Sequence, residues 1–147
     1  MTNLLLDIDV IGTPRPKGSL RHVGHGRLVE QLKHSPDWRH TIVETAGTIT
    51  RADGDTWTLR DGYPSTDPAD VRIELRFSRP KSAPKRVVWP SSRSTGDADK
   101  HARNCLDALV DAGVLKDDSQ VINLLVVKRY CAANETPGAR ITVRRAA

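Results

Sequence analysis

Asp97-Ala-Asp99-Lys100-His101-Ala-Arg103-Asn-Cys105-Leu106-Asp107-Ala-Leu109-Val110-Asp-Ala-Gly113 sets the architecture. Ala102, Cys105, Leu106, Leu109 and Val110 recur at three- and four-residue intervals, so they share one apolar stripe. That stripe predicts a helix starting near Asp97 or Asp99, with Gly113 as its left-handed stop. Asp117-Asp118-Ser119-Gln120 then leads into residues 121–127, Val-Ile-Asn-Leu-Leu-Val-Val. So continuous an apolar run predicts a buried strand.

Working outward, Val71, Ile73, Leu75 and Phe77 alternate with charged residues and predict a second strand. Residues 4–11 alternate likewise, with Leu6, Ile8 and Val10 on one face and Asp7 and Asp9 on the other. Two prolines and two glycines in residues 12–18, Gly-Thr-Pro-Arg-Pro-Lys-Gly, forbid extending that ladder. Ser35-Pro36-Asp37 reads as an N-cap, a first-turn proline and an acidic first turn. Trp38, Ile42, Ala46 and Ile49 follow at helical spacing, predicting a helix to about Thr50. Residues 53–68 read as loop in which residues 57–59 can pair locally, and Pro137-Gly138 turns the chain into a last strand over residues 140–144. The order strand, helix, strand, helix, strand, strand predicts an α+β or mixed α/β fold: a single compact domain over residues 1–147, with a small mixed sheet packed against two main helices.

The 147 residues include 23 Lys and Arg against 18 Asp and Glu, a formal charge of +5 that suits a polyanionic partner. Residues 78–96 hold Arg79, Lys81, Lys85, Arg86 and Arg93 and no acid, and read as a basic flexible loop. Cys105 and Cys131 are isolated, which excludes a disulfide-dense scaffold and a zinc finger. The Leu4-Leu5-Leu6 run is interrupted by Asp7 and Asp9, so it is neither a signal segment nor a membrane span. A soluble, cytoplasmic protein is expected. Neither a Walker loop nor a G-x-G-x-x-G nor a G-x-S-x-G element is present, which argues against nucleotide-driven and acyl-transfer chemistry.

Candidate chemistry gathers on carboxylates. Asp97 and Asp99 stand at a helix start directly after the acid-free segment, and Asp118 would join them if the following strand returns beside that helix. Mg²⁺ takes one or two carboxylates, with water and substrate phosphate completing its shell, and such a site among cations suits phosphodiester hydrolysis. The same residues have a plainer reading, as helix caps and an ordinary turn. Arg103 can be a catalytic cation or the centre of an ion-pair row with Asp99 and Asp107. Asp107 lies about 12 Å along the helix from Asp99 and reads as structural. His22, His25, His34, His40 and His101 are scattered; His22 and His25 read as loop residues, near DNA or without a role, and Cys105 as core.

The stretch from Asp97 to Lys128 resembles the signature of RusA-type Holliday junction resolvases, phage and prophage enzymes among them. The family pattern is Asp-x-Asp-Asn, a Lys four residues after the second Asp, an Asp-Ala-Leu, an Asp-Asp-x-Gln, and a strand ending in Lys. Here it is met by Asp97, Asp99, Asp107-Ala-Leu109, Asp117-Asp118-Ser-Gln120 and Lys128 without a gap. Pro14-Arg15-Pro16-Lys17-Gly18 after a strand also resembles the family's start. The resemblance implies a Mg²⁺-binding triad of Asp97, Asp99 and Asp118, with Mn²⁺ as a possible substitute. It also implies a homodimer that binds four-way DNA junctions and makes paired, symmetric nicks. Two positions depart from the pattern: Lys100 stands for the family's Asn and Arg103 for its catalytic Lys. Arg keeps the charge but cannot readily give up a proton, so Lys100 is the alternative. Arg15, Lys17, Arg21, Arg27, Lys81, Lys85, Arg86, Arg93 and Lys128 are candidate DNA contacts. A junction-binding protein without cutting activity, and a metal nuclease acting on forks or flaps, remain the alternatives.

Overall fold

A computed structural model describes residues 3–18, 20–22, 28–30, 34–51 and 57–146. In chain order the elements are β1 (Leu4–Ile11), β2 (Leu20–His22), β3 (Leu28–Glu30), α1 (Ser35–Ala46), β4 (Ile49–Arg51), β5 (Trp57–Leu59), β6 (Ala69–Phe77), α2 (Ala98–Asp111), β7 (Val121–Tyr130) and β8 (Gly138–Arg145). Four strands form one sheet in the order β1-β8-β6-β7. β8 lies antiparallel to both β1 and β6, whereas β6 and β7 are parallel. A parallel pair needs a long crossover, and residues 78–96 followed by α2 provide it. The mixed sheet with two helices is the α+β domain that the sequence predicts.

Alternation puts Val71, Ile73 and Leu75 of β6 beside Ile141 and Val143 of β8, all fully buried, on the face covered by the helices. α2 contributes Ala102, Cys105, Ala108 and Leu109 to this core, and α1 contributes Trp38 and Ile42. Burial pushes the Cys105 thiol up to about 12, as befits a core side chain without reactivity. Gly113, at φ 74°, supplies the left-handed turn after α2. Gly138 approaches the Val10 carbonyl too closely for any Cβ.

The sheet's other face is charged and closed on itself. Arg129 donates to Glu74 at 2.9 Å and bridges both oxygens of Glu135 at 2.5 and 2.7 Å. Arg76, nearly buried, donates to Asp9 at 2.7 Å, and Arg140 clamps Asp7 at 2.6 and 2.9 Å.

Three expectations need correction. α1 stops at Ala46, because Gly47 turns left-handed at φ 59° and donates to the Val43 carbonyl. Ile49 therefore belongs to β4, which pairs with β5. The N-cap is His34, with Ser35 buried in the first turn. The largest correction concerns β7, which is an edge strand: Ile122, Leu124 and Leu125 are 67%, 40% and 50% exposed. An apolar run has the same sequence signature whether its own chain covers it or leaves it bare.

Arg129 holds the Glu135 carboxyl down at about 2, and the Ala132 N–H adds to the effect. A depressed folded pKa contributes stability above the ordinary value of 4.5 that is lost as pH falls toward 2. Wild type should therefore have a higher urea midpoint than Glu135→Gln near neutral pH, with the gap closing on acidification. Equal midpoints throughout would show that the pair contributes nothing.

Candidate active site

The first turn of α2 gathers the candidate groups. Asp97 occupies the N-cap position with an extended backbone, yet its side chain makes no capping hydrogen bond. Its carboxylate is 65% exposed and 3.8 Å from the Lys100 ammonium. Asp99 is exposed one residue into the helix. Capping therefore does not account for Asp97. It does account for Asp117, which accepts from the Ser119 N–H at 3.1 Å and forms a capping box with Gln120.

Lys128 enters the site from β7. Its ammonium donates to the Gly96 carbonyl at 2.6 Å and lies 5.9 Å from the centre of the Phe77 ring. Partial burial pulls its pKa below the ordinary value, with nearby Asp97 opposing. His101 lies beneath. It is fully buried, donates from Nε2 to the Thr95 carbonyl at 2.5 Å and meets Phe77 edge-on at 5.3 Å. Burial lowers the His101 pKa, the Thr95 carbonyl works the other way, and the imidazole fixes the turn that delivers Gly96 and Asp97.

The N-terminal segment crosses the same helix. Asn104, fully buried, donates to the Arg15 carbonyl at 2.8 Å and the Ser35 carbonyl at 3.3 Å, and accepts from Arg39 at 2.8 Å. The Lys17 N–H donates to the Lys100 carbonyl at 3.1 Å, and the Lys17 ammonium pairs with Asp107 at 2.5 Å. Asp107 is thus structural, as expected from its spacing, and Lys17 is engaged within the fold.

Asp118 is not brought to Asp97 and Asp99. β7 does lie beside α2, but with opposite polarity, so the strand's Lys128 end meets the helix N-terminus. Asp118 is exposed and lines a groove with Lys17, Arg39, Asp107, Asp111 and Asp117 at the helix's other end. A 14-residue helix is about 21 Å long. Among the described residues, no three acidic, His or Cys side chains lie together as metal ligands. Asp97 and Asp99 are the carboxylates of this turn that could hold a hydrated Mg²⁺, an ion that takes one or two carboxylates with water completing its shell.

Arg103 is exposed on α2, and Lys100 is partly exposed beside Asp97. Arg15, Lys81, Lys85, Arg86 and Arg93 are exposed. The side chain of Arg21, and Arg27 altogether, lie outside the described residues, as do the His22 side chain and His25. Residues 78–96 are anchored by the Tyr130 N–H donating to the Val88 carbonyl at 2.8 Å and by Arg79 stacked 5.1 Å from the Tyr130 ring centre. Trp89, 62% exposed, stands in this segment. Sequence reasoning missed it, although a lone aromatic in an acid-free basic stretch was the available signal. His101 and Asn104 were also missed; both are polar residues on the buried side of α2.

Residues 11–144 match the family described as Endodeoxyribonuclease RusA. No curated protein matches the chain.

Asn104→Ala removes the donor to the Arg15 and Ser35 carbonyls, which should cost about 1–3 kcal/mol in urea unfolding. The Lys17 amide should also exchange faster with solvent. A variant with unchanged stability and unchanged exchange would show that Asn104 does not tie the N-terminal segment to α2.

Proposed function

The chain belongs to the RusA family of endodeoxyribonucleases, which act on branched DNA junctions, and from that premise we propose a Mg²⁺-dependent resolvase that nicks four-way junctions in symmetric pairs. The observation that carries this reading is the uncapped Asp97, beside Asp99 and Lys128, at the end of the acid-free segment. Asp97 and Asp99 would hold the ion; Asp118, at the other end of α2 within the same chain, does not join them there. When bound, the ion polarises the scissile phosphate and activates water, a role Mn²⁺ can also fill. The enzyme would work as a homodimer in the cytoplasm of a bacterial or phage-infected cell, because two equivalent sites match the symmetry of a junction.

The chain's own cations divide the remaining work. Arg103 keeps a fixed charge and clamps phosphate oxygens through its planar fork. Lys100 offsets the negative charge of Asp97 and the phosphate. Lys128 is the cation best suited to give a proton to the leaving oxygen: a lysine can release one, and burial lowers its pKa. Lys85, Arg86 and the neighbouring Lys81 and Arg93 hold the flanking backbone, and Trp89 offers a stacking surface to an unpaired base.

With Mg²⁺, wild type should make paired nicks in a labelled four-way junction and leave linear duplex intact. Asp99→Asn should cut about 100-fold more slowly or worse, and EDTA should abolish cutting while binding persists. Equal cutting by the variant would remove the carboxylate from the chemistry. Binding without cutting by wild type would favour a junction-binding protein, a reading motivated by Arg103 and Lys100. Faster cutting of forks or flaps would reassign the substrate.

For DNA binding, Lys85→Ala and Arg86→Ala should each flatten the salt dependence by about one unit of slope. Trp89→Ala should weaken binding by about 1–3 kcal/mol with the slope intact. Unchanged affinity and slope in all three would remove the segment from the footprint.

A further inference from the structure

His101 is a fully buried polar side chain that takes no direct part in the chemistry. Its Nε2 donates to the Thr95 carbonyl, while its Nδ1 has no partner among the described residues. A buried nitrogen without a partner costs stability, so an apolar side chain of like size would suit the core better. What the imidazole supplies is the Nε2 donor, on a ring whose orientation is set by Phe77 edge-on against it.

Two successive carbonyls above it take two different partners. Thr95 accepts from His101 and Gly96 accepts from the Lys128 ammonium, so neighbouring peptide planes carry the imidazole and the cation. Gly96 stands between two walls. At φ 82°, a Cβ there would lie 2.7 Å from Pro16 Cγ and 3.0 Å from His101 Nε2. Its carbonyl therefore has little room to swing while the imidazole is in place. Asp97 is the next residue, and no capping hydrogen bond holds its side chain. Phe77 touches both partners, with the Lys128 ammonium 5.9 Å from its ring centre and the His101 ring 5.3 Å away.

We propose that His101 is a positioning residue: through the Thr95–Gly96 turn it sets where the Lys128 ammonium stands relative to the Asp97 carboxylate. The catalytic consequence rests on the function proposed above, in which Lys128 gives a proton to the leaving oxygen. The placement itself rests on the turn alone. A shift of about 1 Å in a reacting group can cost about 100-fold in rate, so a residue that never touches the substrate can still govern turnover.

Two substitutions separate the donor from the volume. His101→Gln carries an amide N–H that can reach the Thr95 carbonyl, whereas His101→Leu fills the space with no donor. In single turnover, His101→Leu should cut a four-way junction about 10- to 100-fold more slowly than wild type. Its junction affinity should be unchanged, and its urea midpoint should equal or exceed that of wild type. His101→Gln should recover most of the rate. In a Lys128→Ala background, His101→Leu should slow cutting no further, because the cation that it places is gone. Wild-type cutting by His101→Leu, equal loss in the Gln and Leu variants, a lowered midpoint or multiplying effects in the double variant would each overturn the proposal. Independently of cutting, the Gly96 amide, which donates to the Arg93 carbonyl at 3.1 Å, should exchange faster with solvent in His101→Leu but not in His101→Gln. Unchanged exchange in His101→Leu overturns the placement as well. A wild type that does not cut, with Gly96 exchange responding as expected, would refute the proposed function and leave the placement standing.

Discussion

The parallel pairing of β6 with β7 constrains everything around it. Two parallel strands joined by a helix oblige that helix to run against them, so the residues before the helix and those after it lie at opposite ends of the sheet. Asp97 precedes α2 and Asp118 comes after it. Their separation is thus a property of the topology, and no loop rearrangement short of unpairing β7 can abolish it. The same topology delivers Lys128, from the far end of β7, to the carbonyl of Gly96.

Charge is distributed with equal economy. On the outer sheet face Arg76, Arg129 and Arg140 are committed to Asp9, Glu135, Glu74 and Asp7. Lys17 is likewise committed to Asp107. Residues 78–96, by contrast, carry exposed Lys81, Lys85, Arg86 and Arg93 with no acid in the segment. That segment also anchors on Tyr130 and leads directly into Asp97, so the basic surface and the candidate carboxylates belong to one continuous piece of chain.

Periodicity made β1, β6 and α2 legible, because each alternates or repeats against a core on one side only. It failed for the end of α1, where Ile49 kept helical spacing although Gly47 had already turned the chain left-handed. The candidate acids could be picked out along the chain, but not how the fold arranges them. Spacing along the chain reveals which acids exist; whether they meet depends on strand polarity, which leaves no trace in hydrophobic pattern. His101 and Asn104 were illegible for a related reason. A polar residue on a buried helix face announces a partner without naming it, and here the partners are carbonyls of Thr95, Arg15 and Ser35.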